Sequence, residues 1–477
     1  MKIITDFTPT PENQDIIYNS TDNLQTMALK ELFDGGLIPD WAKPTYRYSE
    51  LMLGPIMTMM RRGVAIDMQK RDEIVSGLQA RVAKVRHTYD TICERLFGTI
   101  INSASFTQLQ VLFYQFLGIP EQTKSKKGEV KVAADREVLE RIAKDYPRGA
   151  VFANLILRLR ELEKQIEFLT KTLSPDNRFH TAFNIAGTST FRLSSSEHPL
   201  RLGGNGQNVN PLSRRAFVPD PGYIMFQADQ QGAEARLVSY LTGDENYIKA
   251  CEGGDAHTMV ASMVFGFEPK RDLAEREYKR GKSYRQFAKV GSHSCNYMVG
   301  PTTLAKSLGI DHESAEQFQA IYYKKFPSIA RWHSHIAKQI AEKGWLENPF
   351  GVRRMFWGRR WDNATLREAV AYGPQSTVGM LTNLSIYNLW HRYEGQPGAP
   401  VQIMLNVHDG IVGQVREDMA EKLWPEILDC ITIPFEVEDI HGKRRTITIP
   451  YDLETGYSWD KYDAETNPKG LKKWKGS

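Results

Sequence analysis

Two apolar runs that each end at an aspartate constrain this chain more than any other feature. Residues 223–229, YIMFQAD, have the composition of a buried strand, and the QQGAEARLVSYL that follows has helical spacing. Asp229 therefore stands at the exposed end of a strand, where a helix begins. Residues 401–415, VQIMLNVHDGIVGQV, read as two apolar strands joined through His408, Asp409 and Gly410, a hairpin with Asp409 at its tip. If that hairpin pairs beside 223–229, both carboxylates meet at one edge of a sheet. Neighbouring carboxylates do not both stay ionised cheaply without a cation between them. Two divalent ions about 4 Å apart stabilise the attacking and leaving oxygens of a phosphoryl displacement. The plainer reading makes Asp229 a helix N-cap and Asp409 a turn former, roles that Asp fills routinely.

A second pattern lies in KRGKSYRQFAKVGSHSCNYMVG, where Arg285, Lys289, His293 and Tyr297 recur at four-residue steps. On one helix these positions drift by only about 120° and span roughly 18 Å, so they share a face. Two cations followed by two rings suit an extended nucleotide, with the charges on phosphates and the rings on sugar and base. Gly291 lies among them at a helix-propensity cost of about 1 kcal/mol, which would let another group approach closely. An ordinary amphipathic helix with a solvated basic face explains the same spacing.

The 477 residues are 41% hydrophobic, enough for two to four cooperating subdomains. The net charge of +4 permits a nucleic-acid partner without arguing for one, since local clustering decides. The four cysteines contain no CxxC pair, which excludes a standard structural zinc site and points to reduced thiols in a cytosolic compartment. With no signal-peptide core and no apolar run of about 18 residues, the expectation is a soluble, cytoplasmic protein that does not engage a membrane. One short helical stretch is expected from Asn23 to Phe33. Tyr48 to Arg62 reads as a buried helix closed by Gly63 and followed by a short VAID strand. Residues 68–97 form an amphipathic helix. A basic tract (Lys124, Lys126, Lys127, Lys131) separates it from helical patterns at 135–145 and 150–172, so 68–175 reads as a helical arm with a basic tip. Strand composition appears at 181–186, 223–228, 401–407, 411–415 and 446–450, whereas 243–365 reads as almost entirely helical. The expected class is α+β, a mostly antiparallel sheet in two sequence pieces with helical subdomains around it.

Together these segments resemble the polymerase motifs of family A DNA polymerases, the group of bacterial DNA polymerase I and many phage replicases. DQQGAEARLVSYLTGD resembles the first motif, with Asp229, Glu234 and Arg236 in its Asp, Glu and Arg places. RQFAKVGSHSCNYMVG resembles the second, and VHDG the third, usually His-Asp-Glu. RRGVAID, the 103–119 stretch, TFRLSSSEHPL, GQNVN, DAHTMVASMVFG, REAVAYGPQST and ETGYSWD resemble further family segments, all in the family's order, so the resemblance covers about 48–460. It implies a right-hand fold. Residues 1–47 would be an N-terminal segment and candidate exonuclease-domain remnant, 48–67 palm, 68–178 thumb, 179–242 palm, 243–365 fingers, and 366–477 palm with a basic tail.

The resemblance also implies template-directed addition of deoxynucleotides to a primer 3′-hydroxyl, with two Mg²⁺ ions (or Mn²⁺ in their place). Asp229 and Asp409 would hold the metals, helped by the backbone carbonyl of Gln230. Arg285, Lys289 and His257 would hold the triphosphate, with Lys289 protonating the pyrophosphate leaving group. His293, Tyr297, Gln230 and Gln231 would complete the nucleotide site, and Glu234 would occupy the space of a ribose 2′-hydroxyl. Arg192, Gln207, Asn208, Arg367, Gln375 and His408 would contact the primer–template, and Lys124, Lys126 and Lys127 would grip duplex backbone. Implied partners are primer–template DNA, deoxynucleotides, a separate 3′–5′ exonuclease and a helicase–primase, around a monomeric chain.

Four departures from the family pattern stand out. His293 replaces the usual Phe or Tyr, which changes the polarity beside the incoming sugar. Gly410 replaces the usual Glu, and activity is expected to survive the change. Ala371 stands where Asn is common. Only Tyr18-x3-Asp22 resembles an exonuclease motif, so proofreading is expected in another polypeptide, or the chain is cut from a longer one; a phage or mobile-element replicase fits this picture. The alternatives are a single-subunit RNA polymerase or primase, against which Glu234 argues, a two-metal nuclease, and an inactive DNA-binding relative.

Overall fold

The computed structural model describes residues 27–126, 129–279, 281–395 and 398–476. Tyr18, Asp22 and Lys127 lie outside the described residues. A six-stranded sheet carries the two aspartates. In spatial order its strands are Val401–Val407, Gly410–Arg416, Tyr223–Gln230, Tyr451–Gly456, Gly470–Lys473 and Ser458–Lys461, and only the last pair is parallel. Strand Tyr223–Gln230 sits inside the sheet because its apolar run is covered: Met225, Phe226 and Ala228 are fully buried, and the Phe226 ring meets Trp424 of helix Ala420–Ile431 edge-on. The adjoining hairpin, 410–416 beside it and 401–407 beyond, is similarly buried.

Three large apolar cores organise the rest. The largest joins the sheet to helices Lys43–Arg62 and Ala420–Ile431 and to the base of helices Met68–Phe97 and Pro147–Leu169. A second is built by the helices between Ala233 and Lys343, around Tyr247, Phe287, Tyr322 and Trp332. A third fills the far end of the 68–169 arm, around Tyr89, Phe113 and Phe152.

The structure changes several local expectations. The polar stretch that carries Lys124, Lys126 and Lys131 forms a β-hairpin, Thr123–Lys126 with Glu129–Val132. The interval 243–365 contains two hairpins, Glu277–Lys279 with Lys282–Ser283 and Trp345–Glu347 with Arg353–Met355. The helix expected at Tyr48 starts at Lys43, with Pro44 in its first turn, where a missing N–H is harmless. Among the described residues no helix is long and apolar enough to cross a membrane.

Candidate functional site

The register of the sheet sets the geometry. Gly410 pairs with Asp229 on one side, and Asp452 pairs with it on the other. Asp409 is in the turn immediately before Gly410, so both aspartates belong to one edge. The turn is held from beneath: Asn406 Nδ2 donates to the carbonyls of His408 and Gly410, each at 3.2 Å, and His408 takes a left-handed backbone (φ 54°). Gln207 braces Asn406 in turn, donating to its Oδ1 (2.9 Å) and to the Leu193 carbonyl (2.9 Å). Its amide is thereby engaged inside the protein, whereas Asn208 beside it is exposed.

Each aspartate has a different partner. Asp229 Oδ2 accepts from Gln227 Nε2 at 2.6 Å, and Gln227 Oε1 accepts from the Trp459 indole at 2.8 Å. Asp409 is gripped by Arg192, whose Nε and Nη2 reach its two oxygens at 3.1 Å each. Arg192 Nη2 also donates to Glu234 Oε1 at 2.5 Å. Burial pushes both aspartate carboxyls above their ordinary value, with the Gln227 hydrogen bond opposing it at Asp229 and the Arg192 charge opposing it at Asp409. Glu234 goes the other way. Burial raises it, but the His293 ring 3.6 Å away, the Tyr297 hydroxyl at 2.5 Å and the Arg192 charge together bring it down to about 2. Arg192 is thus an internal cation shared by two carboxylates.

Helix Tyr284–Asn296 supplies the opposite wall, started by a capping box between Ser283 and Gln286. It ends one residue before Tyr297, so that ring stands at the helix C-cap; His293 still meets it edge-on at 4.8 Å. Lys289 is exposed and has no hydrogen-bond or ion-pair partner among the described residues. Arg285 is fixed on Asp255 by Nε (2.9 Å to Oδ2) and Nη2 (3.1 Å to Oδ1), while Asp255 caps helix Ala256–Phe265. His257, in the first turn of that helix, is pushed down to about 4 by burial and by the charges of Arg285 and Lys289. The close approach expected at Gly291 is made by Phe318: a Cβ there would lie 2.2 Å from its ring.

Between these walls lies a cavity of about 570 Å³ lined by Gln230, Glu234, His257, Lys289, His293, Tyr297 and Asp409. The Gln230 side chain turns away from it, donating to Thr382 Oγ1 (3.0 Å) and Tyr451 Oη (2.9 Å). The Gln231 carbonyl accepts from buried Arg236, which stiffens the turn after Asp229. Arg367 is exposed near the start of helix Asn363–Leu389, and Gln375 is half-buried further along it. His408 is exposed at the hairpin tip. Lys124 and Lys126 lie on the distant hairpin, outside this assembly. Sequence reasoning missed Gln227, Asp255 and Asp452. Period-2 alternation puts Gln227 on the face of Asp229, and Asp255 precedes a helix as an N-cap; no local signal marks Asp452.

The sequence pattern described as DNA polymerase family A matches residues 72–461. The chain belongs to this family. It is 29% identical to DNA polymerase I of Chloroflexus aurantiacus over 475 residues, covering 95% of this chain and 47% of that protein. It is 30% identical to the thermostable DNA polymerase I of Thermus filiformis over 417 residues, covering 82% of this chain and 47% of that one. The chain therefore spans about half the length of these curated relatives. Its fold is similar, with a TM-score of 0.69 and 22% identity, to the POL domain of Pol1 from M. smegmatis in complex with DNA primer-template and dNTP, over 89% of this chain and 71% of that one. The right-hand polymerase fold of this family A chain follows.

Proposed function

We propose that this chain is a template-directed DNA polymerase that adds deoxynucleotides to a primer 3′-hydroxyl. The observation that carries the reading is the cavity that gathers Asp409, Glu234, His257, Lys289, His293 and Tyr297 beside Asp229. Family membership supports it, and the M. smegmatis domain is described as complexed with primer-template and dNTP. In this reading 68–178 is the thumb, 243–365 the fingers and the sheet the palm.

Asp229 and Asp409 fit divalent cations by the chemistry of their donors. They are hard oxygens at one sheet edge, and burial disfavours their charge until a cation compensates it. Bound Mg²⁺, or Mn²⁺ in its place, would supply charge stabilisation at the attacking and leaving oxygens, with the Gln230 carbonyl as a further donor. Lys289, exposed and unpaired, receives the triphosphate and delivers a proton to the pyrophosphate. Arg285 is positioned by Asp255 to meet the same phosphates, and neutral His257 adds a donor without a competing charge. Glu234, locked by Tyr297 and Arg192, fills the space a ribose 2′-hydroxyl would need. Arg192 neutralises Asp409 and Glu234 until substrate arrives, then serves the primer–template with Arg367, Gln375, His408 and Asn208.

The test is extension of a labelled primer–template with Mg²⁺ and either deoxy- or ribonucleotides, beside Asp229→Asn and Asp409→Asn. Extension with deoxynucleotides alone, abolished in both variants, is the expected result. Equal use of ribonucleotides would replace the reading with a primase-like one, and absence of extension would overturn it.

A further inference from the structure

The segment Phe356–Asp362, FWGRRWD, joins strand Arg353–Met355 to helix Asn363–Leu389 and exposes two indoles to a degree unusual for tryptophan. Trp357 is 91% exposed and Trp361 81%. Phe356, buried, and Asp362, which caps the helix by accepting from Ala364 N–H at 3.3 Å, pin the two ends of the loop. The exposed rings are therefore presented by a fixed frame. Four arginines accompany them. Arg353 and Arg354 are paired with Glu347 and Glu368 at 2.6 Å each. Arg360 donates only to the neutral Ala341 carbonyl at 3.1 Å, and among the described residues no carboxylate lies within ion-pair distance of Arg359 or Arg360. Exposed aromatic faces interleaved with uncompensated cations match the chemistry of unpaired nucleic acid, whose bases stack on the rings while phosphates meet the guanidinium groups.

The position of the loop selects the strand. It sits at the N-terminal end of helix Asn363–Leu389, whose Thr382 accepts from Gln230 beside Asp229. From Asn363 to Thr382 is about 28 Å along the axis, and Arg367 lies about 6 Å from Asn363. We infer that Trp357, Trp361, Arg359 and Arg360 form a binding site for the single-stranded template 5′ extension, beyond the end of the duplex. This rests on the polymerase reading above, in which Arg367 and Gln375 touch the primer–template and the loop continues their line.

The test compares full-chain protein with a Trp357→Ala/Trp361→Ala double variant and, separately, Arg359→Ala/Arg360→Ala. Binding is read by fluorescence anisotropy on three labelled substrates. One has a single-nucleotide 5′ template overhang, one a twelve-nucleotide thymidine overhang, and one a displaced non-template flap. The wild-type protein should bind the long overhang at least about tenfold more tightly than the short one, and both double variants should lose that gain. Affinity for the short overhang and single-nucleotide extension on it should stay unchanged, which also shows that the variants fold. The inference fails if wild-type and variants gain equally from the long overhang, if only the flap substrate responds, or if the loop binds anionic lipid vesicles and no oligonucleotide. An overhang-dependent gain without primer extension would sink the polymerase reading and leave this site standing.

Discussion

Gly410 is the residue whose replacement the structure specifies most sharply. A Cβ at this position would lie 2.1 Å from Asp229 Oδ1 and 3.2 Å from the Val407 carbonyl, whereas non-bonded contact begins at about 3.5 Å. The carboxylate must therefore retreat by more than about 1 Å. It can swing, because it is the end of a side chain, but its other oxygen is held by Gln227 at 2.6 Å. Swinging away breaks that bond, and a hydrogen bond to a charged group contributes about 1.5–3 kcal/mol. That corresponds to a factor of about 10 to 100 in rate if the chemistry needs the carboxylate where it now stands. Gly410→Ala should accordingly lower the single-turnover rate of nucleotide incorporation by about 10- to 100-fold, with primer–template affinity nearly unchanged. Gly410→Glu, which introduces the residue usual in the family, carries the same Cβ and should not restore or raise the rate. Rapid-quench kinetics on a saturating primer–template provides the assay. A wild-type rate in Gly410→Ala would show that Asp229 functions equally well in another orientation, and the argument from the Gln227 contact would be wrong.

Gly291→Ala places a methyl 2.2 Å from the rigid Phe318 ring. The overpacking should cost about 1–3 kcal/mol in urea unfolding despite the gain in helix propensity, and unchanged stability would contradict the packing described. Glu234 has a carboxyl lowered from 4.5 to about 2, so its contribution is fully present above pH 4.5 and lost as the pH falls through 2. It should amount to about 3 kcal/mol at pH 7. The stability gap between the wild-type protein and Glu234→Gln should therefore shrink between pH 4.5 and 2, and a gap independent of pH would refute the coupling. Arg192→Ala removes the cation that competes for Asp409, so Mn²⁺ binding without DNA, followed by electron paramagnetic resonance, should tighten about tenfold, the equivalent of one charge-assisted hydrogen bond. Weaker binding would show that Arg192 organises the carboxylates instead of occupying them.

Much of this protein was legible in its one-dimensional pattern. The apolar run ending at Asp229 and the hairpin around Asp409 are strands because alternation, branching and turn residues are local properties. Likewise the four-residue spacing from Arg285 to His293 places those side chains on one face by helix geometry alone. Their order along the chain was enough for the family resemblance. Two hairpins inside 243–365 went unread, since strands of two or three residues carry too little periodicity to separate them from helix. The partners of each charge depended on tertiary structure. Asp452 reaches Asp229 only through strand pairing across more than two hundred residues of chain. Arg192 lies between Asp409 and Glu234 because three separate segments converge there. Sequence fixes which groups are present and which face of an element they share; burial and ion pairing arise between elements, and these set whether a carboxyl such as Asp229 is raised or one such as Glu234 is lowered.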